Sequence, residues 1–375
     1  MYTKISGIVR FFLLLGVLSY LSIPIVGFFA SPSQQPILQG SYTIYEKPSF
    51  SWKNWTEGVF QLQFDQYYNQ QFRYQAFFVQ LNNQFFFSCF QESKANGTVV
   101  GKDDYLYESK YIKSYLGNDF IGKVQLNKTV EKIKALQDYL KQNNTDLILV
   151  LAPNKARFYS EYIPTPFDSE VPGESNLVYL RENLAYSGIH YIDFDRWLIS
   201  LKTKNEKLFT KYGTHWSEYS AVLATDSLFR YVTQLKQRPP FSIVIDSLEQ
   251  TNQARVTDSD IGDGLNLLWE LPQTNYWYPH YHLKGDSSLK DLSVLSVGDS
   301  FYWSIFYLMD KEALVKKNDF WYYNKEVYPE SFTKKTPVIT KHVASALKRY
   351  DVVILIVSEP QLNNILFDLD KAMKW

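Results

Sequence analysis

The chain has 375 residues, with Lys+Arg 39 against Asp+Glu 39 and a formal net charge of +0. That length allows one large core or two compact units, and the balanced charge gives no broad electrostatic pull toward nucleic acid, so no nucleic-acid partner is expected. Aromatic residues make up 17%, with Tyr 29 and Phe 26; they offer flat surfaces suited to sugar stacking, although most belong to an ordinary tyrosine-rich core and surface.

The N-terminal end carries the clearest physical signal. Lys4 and Arg10 precede the uncharged stretch FFLLLGVLSYLSIPIVGFFA, Phe11 to Ala30, which is about 20 residues and long enough to cross a hydrocarbon core of ~30 Å as a helix. A cleaved signal peptide has a shorter apolar region and a small-x-small cleavage site; here Phe28 stands where a small residue is needed before Ala30. The expectation is an uncleaved transmembrane anchor over residues 1–30, its N-terminal side in the cytoplasm. A linker follows over 31–50, opening on SPSQQP (Ser31–Pro36), and one domain spans 51–375.

Up to residue 129 the chain is rich in Gln, Tyr and Phe and reads as a helical lead-in, followed by GTVVGKDDYLYE as a hairpin-like pair of short strands. The lone cysteine, Cys89, between Ser88 and Phe90, excludes an internal disulfide and reads as a buried small hydrophobe. From Thr129 to Asn144 apolar residues recur at intervals of three to four, a helical face. DLILVLA (Asp146–Ala152) is a continuous apolar run, as in a strand buried on both faces. A helix over Asn176–Gly188, a strand over Ile189–Phe194 and a long amphipathic helix over Trp216–Leu235 follow. LSVLSV (Leu292–Val297) is another buried strand, YWSIFYLM a helix, DFWYYN a strand, KHVASALKRY a helix and DVVILIV (Asp351–Val357) the last strand. Strands alternating with helices predict an α/β fold whose mostly parallel sheet is covered on both faces. No Cys/His cluster has zinc spacing, and His280 and His282 in PHYHL lack Cys or acidic neighbours, so neither a metal nor a cofactor is expected.

In such sheets ligands gather at the carboxyl ends of strands. After LILVLA comes PNKARFY, with Lys155 and Arg157; after LSVLSV comes GDSFYW; after DVVILIV comes SEPQL. A Gly-Asp-Ser turn between strand and helix is where a nucleophile is presented, at the positive end of the helix. Ser300 alone is a weak nucleophile and needs a base, and His215, in KYGTHW at the start of the Trp216 helix, is placed to supply it. The plainer alternatives are that Asp299 or Ser300 caps the helix and that His215 packs as a structural residue beside Trp216.

With their flanks these stretches resemble the AlgX/AlgJ group of alginate O-acetylation proteins. VVGKDDYLYESKYI (Val99–Ile112) is similar to the group's opening motif, LAPNKARFYSEYIP (Leu151–Pro164) to its Pro-x-Lys segment leading to Glu-x-x-Pro, YGTHWSEYSA to its Asp-x-His-Trp motif and SVGDSFYWSIF to its Gly-x-Ser block. The resemblance runs from about residue 50 to the C-terminus. It implies an SGNH-hydrolase-like three-layer α/β/α fold on the outer, periplasmic side of a bacterial inner membrane, single-pass. The implied activity is transfer of acetyl groups onto exopolysaccharide, with a membrane-bound O-acyltransferase as donor.

By the same resemblance Ser300 is the nucleophile and His215 the base, and Lys155 and Arg157 hold the sugar chain. The family's aspartate, two positions before the histidine, falls on Gly213. Three possibilities stay open: a carboxylate from elsewhere, with Asp299 and Glu359 the candidates by strand-end position; a Ser-His dyad; or a degenerate site. Two classes of function follow. One is a membrane-anchored polysaccharide O-acetyltransferase, or a deacetylase using the same pair. The other is a non-catalytic module that binds polysaccharide or scaffolds a secretion complex, which the Gly213 departure and the abundance of tyrosines favour and the retention of both serine and histidine disfavours.

Overall fold

The computed structural model describes residues 7–29, 38–40, 45–71, 74–202, 207–339 and 342–372. The chain divides into two compact units, one of residues 1–96 with 263–271 and one of 97–262 with 272–375.

The first unit is helical, with α1 (Gly7–Phe29), α2 (Val59–Gln71) and α3 (Gln75–Phe90). The side chains of α1 are described as far as Ser22, and among the described residues no helix is long and apolar enough to cross a membrane. The anchor expected over Phe11–Ala30 runs past that point, and the Ser31–Pro36 linker lies outside the described residues. Cys89 corrects its expectation: it is exposed. The neighbouring phenylalanines do not bury it, because it lies on the outer arc of α3 together with Phe85, while Phe87 takes the inner one.

The second unit opens on the expected antiparallel pair β1 (Thr98–Val100) and β2 (Leu106–Glu108), followed by α4 (Ser109–Leu116). Its sheet has the order β4-β3-β10-β7-β8-β9, with β3 Asp146–Leu151, β4 Tyr191–Asp193, β7 Ser293–Gly298, β8 Lys317–Tyr322, β9 Glu326–Tyr328 and β10 Val352–Val357. The sheet is mixed: parallel from β4 through β8, with β9 antiparallel at the edge. The central strands β3 and β10 are buried at every position, which explains their unbroken apolar runs.

Alternate side chains of these strands feed two cores. Ile148, Val150, Ile354 and Ile356 face α4, α7 (Phe194–Leu201), α8 (Glu218–Leu235) and α9 (Tyr302–Lys311). Leu147, Leu149, Val353 and Leu355 face α5 (Lys123–Lys141) and α6 (Asn176–Leu184). This is the three-layer α/β/α arrangement. A long antiparallel hairpin, β5 (Ser242–Thr251) with β6 (Tyr276–Lys284), packs on α8 and adds to it an element outside the expected alternation.

Register places the functional edge. Val357 pairs with Leu151, Leu151 with Asp193, Ile356 with Gly298, and Gly298 with Tyr322. The residues that follow each strand therefore leave the sheet along one rim.

Candidate active site

Ser300 leaves the rim directly after β7. Gly298, just before it, must be small: a Cβ there would lie 2.3 Å from the Ile356 side chain and 2.5 Å from its carbonyl oxygen. The Asp299 carboxylate shapes the turn by accepting from Phe301 N (3.1 Å) and Ser358 N (2.7 Å). Phe301 then leads into α9.

His215 arrives on a loop held at several points. Phe209 and Trp216 form a β-bridge, and Ser217 caps α8 by accepting from Ser220 N. Trp216 Nε1 donates to Ser304 Oγ at 2.7 Å, which ties the histidine's loop to the serine's helix. The Phe301 ring packs 4.8 Å from the imidazole. Beneath the loop, the buried Lys155 donates from Nζ to the carbonyl oxygens of Lys211 (2.8 Å) and Gly213 (2.6 Å).

These constraints bring His215 Nε2 to 2.8 Å from Ser300 Oγ. On the other side of the ring, Asp260 Oδ2 lies 2.7 Å from Nδ1. Its second oxygen accepts from Thr214 N at 2.7 Å and from Ile261 N at 2.9 Å. A carboxylate against Nδ1 requires the proton there, which leaves the Nε2 lone pair facing the serine hydroxyl. Burial alone draws the His215 pKa down; the Asp260 hydrogen bond and charge, with Asp299 and Glu108 nearby, outweigh it and hold the pKa above its ordinary value. Burial likewise works to raise Asp260, but its bond and attraction to His215 leave it below the usual carboxylate range.

The sequence reading missed Asp260. It also named other acids, and the structure places neither on His215. Asp299 accepts from the backbone amides of Phe301 and of Ser358, which follows β10. Glu359 is buried on Asn154 Nδ2 (2.6 Å) and Arg157 Nη2 (2.5 Å). At Gly213, where the resemblance leads one to expect an aspartate, a Cβ would meet Thr210 Oγ1 at 2.5 Å and the carbonyl oxygens of Thr257 and Asp258 at 2.8 and 2.9 Å. The segment that delivers Asp260 is pressed against the glycine.

Lys155 and Arg157, expected to hold sugar, point inward. Lys155 is 2% exposed, and burial pulls its pKa down to about 7. Arg157 is engaged by Glu359, Ser175 Oγ and, at 3.6 Å, Asp195. Strand-end cations facing solvent and strand-end cations bracing the rim look alike in a sequence.

One further residue reaches the site. Tyr323 follows β8 and donates its amide to Gly298 O at 2.7 Å, which sets it against the strand end that leads to Ser300; Ser300 is among the groups that bear on its hydroxyl. Burial raises its pKa, with the Asp299 charge adding to the effect, so the phenol keeps its proton. Beside Trp216, a cavity of about 200 Å³ is walled by Glu218, Arg255, Asp258, Tyr281 and Tyr307. Among the described residues no group of three or more His, Cys, Asp or Glu is arranged to hold a metal ion.

Residues 98–273 match the family described as "SGNH hydrolase-like domain, acetyltransferase AlgX". This stretch holds His215 and Asp260, ends before Ser300, and is narrower than the resemblance read from the sequence. Among curated proteins, the Pseudomonas putida protein named "Probable alginate O-acetylase AlgJ" is 23% identical over 152 residues, 40% of this chain and 37% of that protein; the match thus spans little more than a third of the relative's length. Among solved structures, the O-acetyltransferase domain of Pseudomonas putida AlgJ has 19% identity and a TM-score of 0.47, covering 72% of this chain and 92% of that one. Bacillus cereus PatB1 with a sulfonyl adduct has 14% identity and a TM-score of 0.49, covering 74% and 99%. Pseudomonas aeruginosa AlgX has 13% identity and a TM-score of 0.44, covering 71% and 66%.

Proposed function

This chain is AlgX/AlgJ-like through its SGNH hydrolase-like domain, and from that premise we propose that it is a serine O-acetyltransferase acting on a polysaccharide. The observation that carries the reading is the unbroken series of contacts from Asp260 through His215 to Ser300. Ser300 Oγ gives its proton to His215 Nε2 as it bonds to the acetyl carbon of a donor, and the imidazolium returns that proton to the departing group. A sugar hydroxyl then gives its proton to Nε2 and attacks the acetyl-enzyme, and Ser300 recovers its proton as it leaves. Asp260 holds the tautomer and steadies the imidazolium.

The acceptor in this reading is a cell-surface or exported polysaccharide, and the donor is a membrane-bound O-acyltransferase. The N-terminal residues anchor the chain once in a bacterial inner membrane, with residues 51–375 on the periplasmic side. Two features favour a non-catalytic module, the missing acid at Gly213 and the abundance of tyrosines; Asp260 against His215 speaks to the first of them.

The test uses the purified full chain with a small acetyl ester. Ser300→Ala and His215→Ala should each lower turnover by about 10³-fold or more, without adding to one another, and mass spectrometry should find an acetyl group on Ser300 in the native protein. Polysaccharide should raise turnover for a transferase and leave it flat for an esterase. If native and variant chains are equally inert yet bind polymer alike, the chain is a binding module.

A further inference from the structure

Helix α3 in the first unit carries large apolar residues on its outer arc as well as Phe87 on its inner one. None of its residues from Gln75 to Phe90 is charged. A helix facing water sets its polar groups outward and its hydrocarbon inward. Here Phe77, Leu81 and Phe85, spaced i, i+4, i+8, are 43%, 42% and 54% exposed, whereas Asn83 and Gln84 are each 8% exposed. The inward amides are satisfied within the unit. Asn83 Nδ2 donates to Leu265 O at 2.7 Å, Gln84 Oε1 accepts from Trp269 N at 3.1 Å, and Gln84 Nε2 donates to Ser88 Oγ at 2.8 Å.

The neighbouring helices share this character. Arg10 and Asp65 are the only charged residues of α1, α2 and α3. Along α2 the rings of Phe60, Phe64 and Tyr68 stack at 5.7 and 6.1 Å, and before it Phe50, Trp52 and Trp55 stand exposed. The apolar surface continues onto α1, where the Tyr20 ring meets Phe78 at 6.1 Å.

We propose that the Phe77–Leu81–Phe85 face of α3, with the aromatic residues around α2, lies in the interfacial layer of a lipid bilayer. Three features favour lipid over a second copy of the chain. The exposed side chains include tryptophan and tyrosine, which settle where headgroups meet hydrocarbon. The surface is continuous with α1, which is uncharged from Phe11 onward. And α3 itself carries no charged residue that could set register in a protein interface.

Cys89, the only cysteine, is exposed on the same outer arc of α3 and accepts a single fluorescent label without any substitution. The full chain, labelled there with nitrobenzoxadiazole, is reconstituted into phosphatidylcholine vesicles. The emission should shift to the blue relative to the urea-unfolded labelled chain. Phospholipids with a nitroxide near the headgroup should quench it more strongly than those with one deep in the acyl chain. The variant Phe77→Ser/Leu81→Ser/Phe85→Ser should lose both the shift and the quenching while keeping its circular dichroism and thermal melt.

An unshifted wild-type label overturns the proposal. So does a shifted label that lipid nitroxides leave unquenched, since protein then covers the face; Cys89–Cys89 cross-linking would identify a second copy. A folded triple variant quenched as strongly as wild type also overturns it, because α1 alone would then account for the proximity. Should the triple variant fail to fold, the single variant Phe85→Ser, one turn from Cys89, is read in the same way: weaker quenching supports the proposal and unchanged quenching overturns it.

Discussion

Asp260 and His215 stand 45 positions apart in the chain and 2.7 Å apart in space, Oδ2 against Nδ1. The contact completes a series that ends on Ser300.

Asp260→Asn should lower kcat by about 10³- to 10⁴-fold, because the amide can set an N–H against Nδ1 and favour the wrong tautomer. A pH series adds an independent readout. The base must be neutral, so the rate falls on the acid side as His215 takes up its proton. With the His215 pKa held above the ordinary 6.5, the native acid limb should lie above that pH. Removing the Asp260 charge takes away the largest of the influences that raise it, so the variant's limb should move to lower pH. A limb that stays in place in kcat/KM profiles would show that Asp260 does not govern the histidine.

Restoring an acid at position 213 should fail. Gly213→Asp drives a side chain against backbone oxygens of Thr257 and Asp258, and overpacking of this kind costs about 1–3 kcal/mol. The variant should melt earlier and lose activity, and in an Asp260→Asn background it should recover none. Thermal melts and ester turnover, compared across the two single variants and the double, would show the opposite if the glycine were a vacant seat for the acid.

Tyr323→Phe removes the hydroxyl of a residue bonded through its amide to Gly298, next to the Ser300 turn. If that hydroxyl steadies the charge that develops on the acyl oxygen, kcat should fall by about 10- to 100-fold, with KM and melting temperature nearly unchanged. A matched rise in KM with kcat constant would assign the tyrosine to ground-state binding instead.

What the sequence disclosed and what it hid have physical reasons. Ser300 and His215 carry local signals: a small-residue turn after a buried strand, and a turn that opens an amphipathic helix. Asp260 has none. It lies in TDSDIGDG among Asp258 and Asp263, and only the tertiary approach of that segment to Gly213 selects it. Lys155 and Arg157 were placed on the correct rim but not on its correct side, since chain position does not say whether a long cation turns toward water or toward carbonyl and carboxylate partners. The buried strands β3, β7 and β10 were legible because both faces demand apolar residues. The β5–β6 hairpin was not: its strands are only partly covered and mix Ile243 and Val244 with Asp246 and Glu249, which blurs the alternation. The three residues of β9 are too few to establish any period.

The bond from Lys155 to the loop has a bearing on any titration of this site. Near neutrality its ammonium and amine forms coexist, since burial brings the pKa down to about 7. An unprotonated primary amine still carries two hydrogens, and two carbonyl oxygens, of Lys211 and Gly213, await them. Deprotonation therefore removes a charge without releasing the strap. The charge that is lost also acts on Asp260, the partner of His215, so a pH profile near neutrality carries the titration of Lys155 beside that of the imidazole.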